Sequence, residues 1–185
     1  MRKAICVALL ATFAVVFSVA ISAQEKSVQT GIGDGGSPHF RGEWDVHGAH
    51  ITIEYGRPYL KGRTIGKDVV PYGEVWRTGA DEATVITSTR PLKFRKITLA
   101  ANTTYTINTM PNPDHWDLIL GKLSQPGQWG IPYQPQLEIG RVPMILERAT
   151  KPVEEETITI QPTSMGGRLT VEWGLISVTA PFIVE

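Results

Sequence analysis

The chain has 185 residues, with 18 lysines and arginines against 18 aspartates and glutamates, so it carries no net charge at neutral pH. The lack of a basic excess argues against a nucleic-acid partner. The single cysteine, Cys6, lies near the N-terminus, leaving the rest of the chain with no disulfide, thiolate metal site or cysteine nucleophile.

Arg2 and Lys3 precede an uncharged apolar run from Ala4 to Ala20, which ends on Ile21-Ser22-Ala23 before Gln24. A charged start, an apolar middle and a small-residue exit form the pattern of a secretory signal peptide, expected over residues 1–23. A membrane-spanning helix wants about 20 apolar residues. This run is slightly short and ends on a processing site, either after Ala23 or after Ser22, so no stable membrane insertion is expected after cleavage. Cys6 stands at the beginning of the run, whereas a lipid anchor needs it at the end. The expected location is periplasmic or secreted.

Residues 24–40 are polar and glycine-rich, including Gly31, Gly33, Gly35 and Gly36, and read as a flexible lead-in to a single domain over 41–185. A remainder of about 160 residues is the usual size of one domain and needs no covalent staples.

From Ile51 onward the apolar pattern has period two. Ile51, Ile53 and Tyr55 alternate with Thr52 and Glu54, and short runs rich in Val, Ile, Thr and aromatics follow at Thr84–Thr89, Phe94–Leu99, Thr103–Thr109, Trp116–Leu120, Met144–Ala149, Thr157–Gln161, Arg168–Trp173 and Leu175–Thr179. No stretch offers an amphipathic helix of three turns. Prolines and glycines punctuate the runs, with a hairpin expected at Gly166-Gly167 and a second reversal at Gly174. Eight or nine such strands predict an all-β domain, an antiparallel two-layer β-sandwich, with a jelly-roll-like or partly closed barrel as the alternative.

The segment between Tyr55 and Thr84 is too long for a turn and too rich in Tyr, Trp and Val for disorder, which marks it as functional or as structure not visible in the pattern. Arg57, Lys61, Arg63, Lys67 and Arg77 fall here beside Tyr59, Tyr72 and Trp76. Guanidinium groups suit carboxylate or phosphate, and aromatic faces suit sugars or the arginines themselves. One reading is a pocket for a small anionic or carbohydrate-like ligand, built from Arg57, Lys61, Arg63, Tyr72, Trp76, Arg77 and Glu82. The other is a structural staple, with Arg57 and Arg77 paired to Asp81 and Glu82 and Trp76 plugged into the core.

Three separated pieces of this segment occur in a distinctive order: Ile53-Glu-Tyr-Gly-Arg57-Pro58 to Lys61-Gly-Arg63-Thr-Ile65, then Val70-Pro-Tyr72-Gly to Val75-Trp76-Arg77-Thr78-Gly79-Ala80, then Glu82-Ala-Thr84. Together they resemble the signature of the domain-of-unknown-function 2911 family of exported bacterial proteins. The resemblance extends from about His50 to the end, with Leu99–Tyr105, Trp116–Leu120 and Leu169–Trp173 at the places of that family's later strands. It implies a fold and a compartment but no reaction. Asp81 stands where that signature has asparagine, and Asn102 where it has a turn glycine.

Other groupings carry less. His47 and His50, three apart, point to opposite faces of a strand and make a poor metal pair. His115 follows Asn112-Pro-Asp114 in a turn and reads as solvated, although Asp114 and Asp117 beside it would allow acid–base work. Ser124 and Ser164 lack a Gly-x-Ser-x-Gly elbow. Residues 31–36 imitate a phosphate loop without its Lys-Ser/Thr ending. Gln125–Pro135, with Trp129 and Tyr133, is either a sugar platform or a proline-stiffened crossover. No metal and no cofactor are expected. The leading expectation is a binding module. An extracytoplasmic hydrolase using Glu82 or Asp81 with Arg77, and a purely structural module, are the alternatives.

Overall fold

The computed structural model describes residues 25–185, so the expected signal peptide lies outside the described residues. The chain there is all-β. Strands β1 (Glu25–Ile32), β2 (Pro38–Val46), β3 (Ala49–Gly56), β4 (Ile65–Gly66), β5 (Val69–Pro71), β6 (Ala80–Ser88), β7 (Leu92–Phe94), β8 (Ile97–Leu99), β9 (Tyr105–Pro111), β10 (Trp116–Lys122), β11 (Glu138–Pro162) and β12 (Gly166–Val184) follow one another with one short 3₁₀ turn at Pro135–Leu137. Ten of them form one antiparallel sheet in the order β1-β2-β3-β6-β9-β10-β11-β12-β7-β8, while β4 and β5 form a small parallel pair.

This sheet makes two layers by folding over along β11. As far as Met144, β11 pairs with β10, and from Ile145 it pairs with β12. A straight strand of 25 residues would run roughly 80 Å at about 3.3 Å per residue, far beyond the width of a domain this size. Register shifts between Arg148 and Thr157 bend it instead. Trp44, Ile51, Ile53, Trp116 and Leu118 from the first layer meet Ile158, Ile160, Leu169, Val171 and Phe182 from the second in one fully enclosed core. The outer strands β1 and β8 are not joined, so the sheet does not close into a barrel.

Several local expectations change. Met144–Ala149 and Thr157–Gln161 belong to one strand, as do Arg168–Trp173 and Leu175–Thr179. Gly174, expected as a reversal, sits at φ +58 opposite Val153 inside the paired β11–β12 ladder. Its left-handed backbone makes a bulge where the partner strand is also irregular, and pairing resumes beyond it. Phe94–Leu99 is a tight hairpin, β7 to β8, turning at Arg95 with φ +53. The lead-in expected over 24–40 contains β1 and the start of β2. β1 is held by backbone pairing alone, since all eight of its residues are exposed, and this is why no apolar alternation announces it. The hairpin near Gly166-Gly167 forms as expected, with Thr163 N–H donating to the Gly166 carbonyl.

The β2–β3 turn carries His47 at φ +49 and Gly48 at φ +76. Two consecutive left-handed residues are what a tight two-residue hairpin requires. His47 therefore serves a turn, with its ring nitrogen on the Thr163 carbonyl at 2.6 Å, while His50 pairs with Asp45.

Candidate functional site

The segment between β3 and β6 folds back along both layers. Arg57 leaves β3 toward β11: its Nε donates to the Glu156 carbonyl at 2.8 Å, its Nη2 donates to Thr157 Oγ1 at 2.7 Å, and the carboxylate of Glu155 lies 3.3 Å away. The opposite face of the guanidinium covers the Phe40 ring at 4.6 Å. Arg57 thus ties the two layers together. Arg63 wraps onto the carbonyls of Tyr59 and Leu60 in its own loop, and Lys61 lies over Tyr59.

Trp76 returns to the first layer through backbone bonds in both directions with Thr109 of β9. Its ring stacks on Trp173 of β12 and its Nε1 donates to the Gly79 carbonyl. Thr78, fully buried, donates to Thr109 Oγ1, and Thr84 donates to the Thr78 carbonyl at 2.6 Å. These hydroxyls satisfy an irregular backbone inside the protein, a role open to threonine but not to valine of the same shape.

Arg77, between these anchors, is different. Its Nε is buried with no hydrogen-bond partner, and no carboxylate lies within ion-pair distance among the described residues. Burial pulls its guanidinium below the usual range, while Asp81, Glu156 and Glu82 hold it up. Gly130 of the 125–135 loop packs directly on the Arg77 stem, where a larger residue would collide. Arg77 lines an open hollow of about 280 Å³ with Arg63, Trp76, Val69, Ile131 and Trp173.

Close enough to feel Arg57 and Arg77 is Glu156, which is wholly buried because it keeps step with the inward-facing Ile158 and Ile160 of β11. Neither of its carboxylate oxygens has a hydrogen-bond partner among the described residues. Burial pushes its carboxyl well above the usual range, partly offset by the positive charges of Arg57 and Arg77.

On the other side of the Arg77–Glu82 strand entry, His39, Gly56 and Ala80 form a row across β2, β3 and β6. This row places His39 Nε2 at 3.1 Å from Asp81 Oδ2, with the Asp81 side chain only 8% exposed. His39 Nδ1 faces Glu82 Oε2 at 3.4 Å. Glu82 and His39 open onto a cavity of about 410 Å³. Glu82 and Arg77, which a hydrolase of the expected kind would use together, thus open onto different cavities.

A family model described as a protein of unknown function, DUF2911, matches residues 37–182. The chain belongs to the DUF2911 family. No curated protein and no solved structure matches it. Asp81 at φ +65 and Asn102 at φ +55 both lie on left-handed backbone. Glycine, asparagine and aspartate are the residues that best tolerate that conformation. Asp81 Oδ2 lies 3.1 Å from His39 Nε2.

Among the residues expected to form one site in this DUF2911 protein, Arg63, Trp76 and Arg77 share the hollow. Arg57 is committed to β11, and Lys61 donates its backbone N–H to Glu154. Tyr72 packs over Gly66 and stays 41% exposed, and Glu82 belongs to the other cavity. His39 and Glu156 escape the sequence reading. His39 sits in the glycine-rich lead-in, and only the register of three strands brings it to Asp81. Glu156 carried one usable signal, its place in the inward phase of Glu156, Ile158 and Ile160.

Proposed function

We propose that this DUF2911 protein is an extracytoplasmic binding module that takes a small anionic ligand with an apolar body in the hollow beside Trp76. The observation that carries this reading is Arg77: a partly buried guanidinium whose buried Nε has no acceptor among the described residues, at the wall of an open hollow. Asp81, Glu156 and Glu82 act on Arg77 without a hydrogen bond to it, and a bound carboxylate or phosphate would supply the direct acceptor that a buried guanidinium N–H lacks. Arg63 adds a second cation. Trp76, Val69, Val70, Pro71 and Ile131 offer apolar and aromatic surface for the rest of the ligand. The flanking residues have other work: Trp76, Thr78 and Thr84 hold the strand entry in place, so Arg77 is displayed from a rigid frame.

The N-terminal pattern of charge, apolar run and small-residue exit supports export, which cell fractionation of the full-length chain with N-terminal sequencing of the product would test. Binding is tested by titrating the protein with benzoate, aromatic phosphates and neutral sugars, reading tryptophan fluorescence, since Trp76 and Trp173 both line the hollow. Saturable quenching by an anion, weakened at least about ten-fold in Arg77→Ala, which corresponds to about 1.4 kcal/mol, is expected. No response from any anion, or an equal response from Arg77→Ala, overturns the reading.

A further inference from the structure

The larger cavity, on the far side of the strand entry from Arg77, carries the opposite chemistry. Its walls hold Glu54, Glu82 and His39, and among the described residues no lysine or arginine lines it. Phe40, Val85 and Leu123 give it an apolar side. Glu54 is already paired with Arg41 at 2.7 Å, whereas Glu82, 48% exposed and 3.4 Å from His39 Nδ1, faces the space with no lysine or arginine partner among the described residues.

The imidazole beside Glu82 is built in. Asp81 binds it from the interior. The Gly33–Gly36 turn closes over the pair, with Gly35 N–H reaching Asp81 Oδ1 at 3.4 Å. A Cβ at Gly33 would come within 2.5 Å of His39 Nε2, and one at Gly56 within 3.0 Å, so glycines seat both neighbouring segments against the ring. The glycine-rich lead-in, which has no apolar face of its own, thereby acquires a reason. The three side chains do not gather around a common point as metal ligands would; His39 lies between the two carboxylates with one nitrogen toward each. Arg77, whose guanidinium feels Asp81 and Glu82, faces the other hollow.

We propose that this cavity is a second site, which takes an organic ammonium group: the cation on Glu82, where His39 and Asp81 hold that carboxylate's surroundings rigid, and an apolar body against Phe40, Val85 and Leu123. A charged donor on a half-exposed carboxylate beside an apolar wall forms a stronger contact than a neutral hydroxyl in the same place. The site is independent of the anion hollow and stands or falls without it.

Benzylamine, protonated at pH 7, and benzyl alcohol, its neutral counterpart, test the proposal on the full mature chain by calorimetry and by the ring signals of His39 in NMR spectra. Saturable benzylammonium binding is expected, with the His39 signals moving along the titration. Affinity should fall at least about ten-fold in Glu82→Gln, and benzyl alcohol should bind at least about ten-fold more weakly. Excess benzoate should not displace the ammonium. Equal affinity for the alcohol, wild-type affinity in Glu82→Gln, displacement by benzoate, static His39 signals or no saturable binding each overturn it. The NMR readout needs no variant, so a misfolded Glu82→Gln would not rescue the proposal.

Discussion

Trp76 lies flat against Trp173, ring centroids 5.4 Å apart and planes 17° from parallel, and meets Trp116 edge-on at 6.4 Å. A residue of the strand entry and a residue of the last strand thus form one aromatic cluster that joins the two layers. Stacked and edge-on pairs add about 0.5–1.5 kcal/mol to the area they bury. Trp76→Ala should lower the free energy of unfolding by about 3 kcal/mol, within the range for truncating a large core aromatic. Trp76→Phe should cost less. Urea denaturation checks both, and a double-mutant cycle with Trp173→Ala should show coupling of about 1 kcal/mol. Additive single-variant losses would contradict the pairing.

Arg57 uses two guanidinium nitrogens on β11 and its flat face on Phe40. A lysine ammonium has neither the fork nor the plane. Arg57→Lys should therefore lose stability almost as Arg57→Ala does, on the order of 2 kcal/mol for charge-assisted bonds left unmade. Retention of wild-type stability in the lysine variant would show that charge alone suffices.

Glu156 gives stability a definite dependence on pH. Its carboxyl is held above the ordinary value of 4.5 by burial. Below pH 4.5 both folded and unfolded chains hold the proton and there is no difference. Above it the unfolded chain releases the proton first, so stability falls as pH rises toward the folded value, by up to about 1.4 kcal/mol per pH unit. Glu156→Gln keeps the shape and removes the proton. The variant should melt above the wild type at pH 7 and close to it at pH 4, as calorimetry across that range would record. A constant difference across pH would refute the assignment.

Tyr55 acts at the alkaline end. Its hydroxyl accepts from Ile158 N–H inside the protein, and burial raises it from 10.0 to about 12. The unfolded chain ionises first, so stability present below pH 10 is lost between pH 10 and about 12, on the order of 3 kcal/mol for that shift. Tyr133, also raised to about 12 by desolvation and by its bond to Glu138, titrates in the same window. Tyr55→Phe should start about 1–2 kcal/mol lower at pH 7, because Ile158 N–H loses its acceptor. It should then show a shallower alkaline fall. An unchanged slope would assign the loss to Tyr133 alone.

The all-β class was legible because Ile51, Ile53 and Tyr55, and the later Val and Ile runs, alternate against one buried face, and burial on one side of a strand imposes period two. β1 was not legible, since every one of its side chains is exposed and only its backbone is paired. The unity of β12 was hidden by Gly174, where a reversal is expected from the sequence, and that of β11 by the irregular stretch between Ala149 and Thr157. A bulge and a turn draw on the same residues, and only the partner strand distinguishes them. The importance of Trp76, Arg77 and Thr78 was visible from their density in one segment, but not their separate duties.

The amino-acid sequence by itself determined the strand-forming pattern, the thiol-free composition of everything after Cys6, and the concentration of arginine and tryptophan between Tyr55 and Thr84. These are properties of neighbouring residues, set by local sterics and by the period with which side chains meet a core. The tertiary structure alone decided which charges are spent and which are free. Arg57 and Arg77 look alike in the sequence, yet one is bound to β11 and the other faces a hollow. His39 and Asp81 are brought together by the register of three strands, and Glu156 is buried within reach of the Arg57 and Arg77 charges by the fold of β11 over the first layer. Long-range pairing controls burial, and burial controls whether a charge is satisfied by the protein or left open to a ligand.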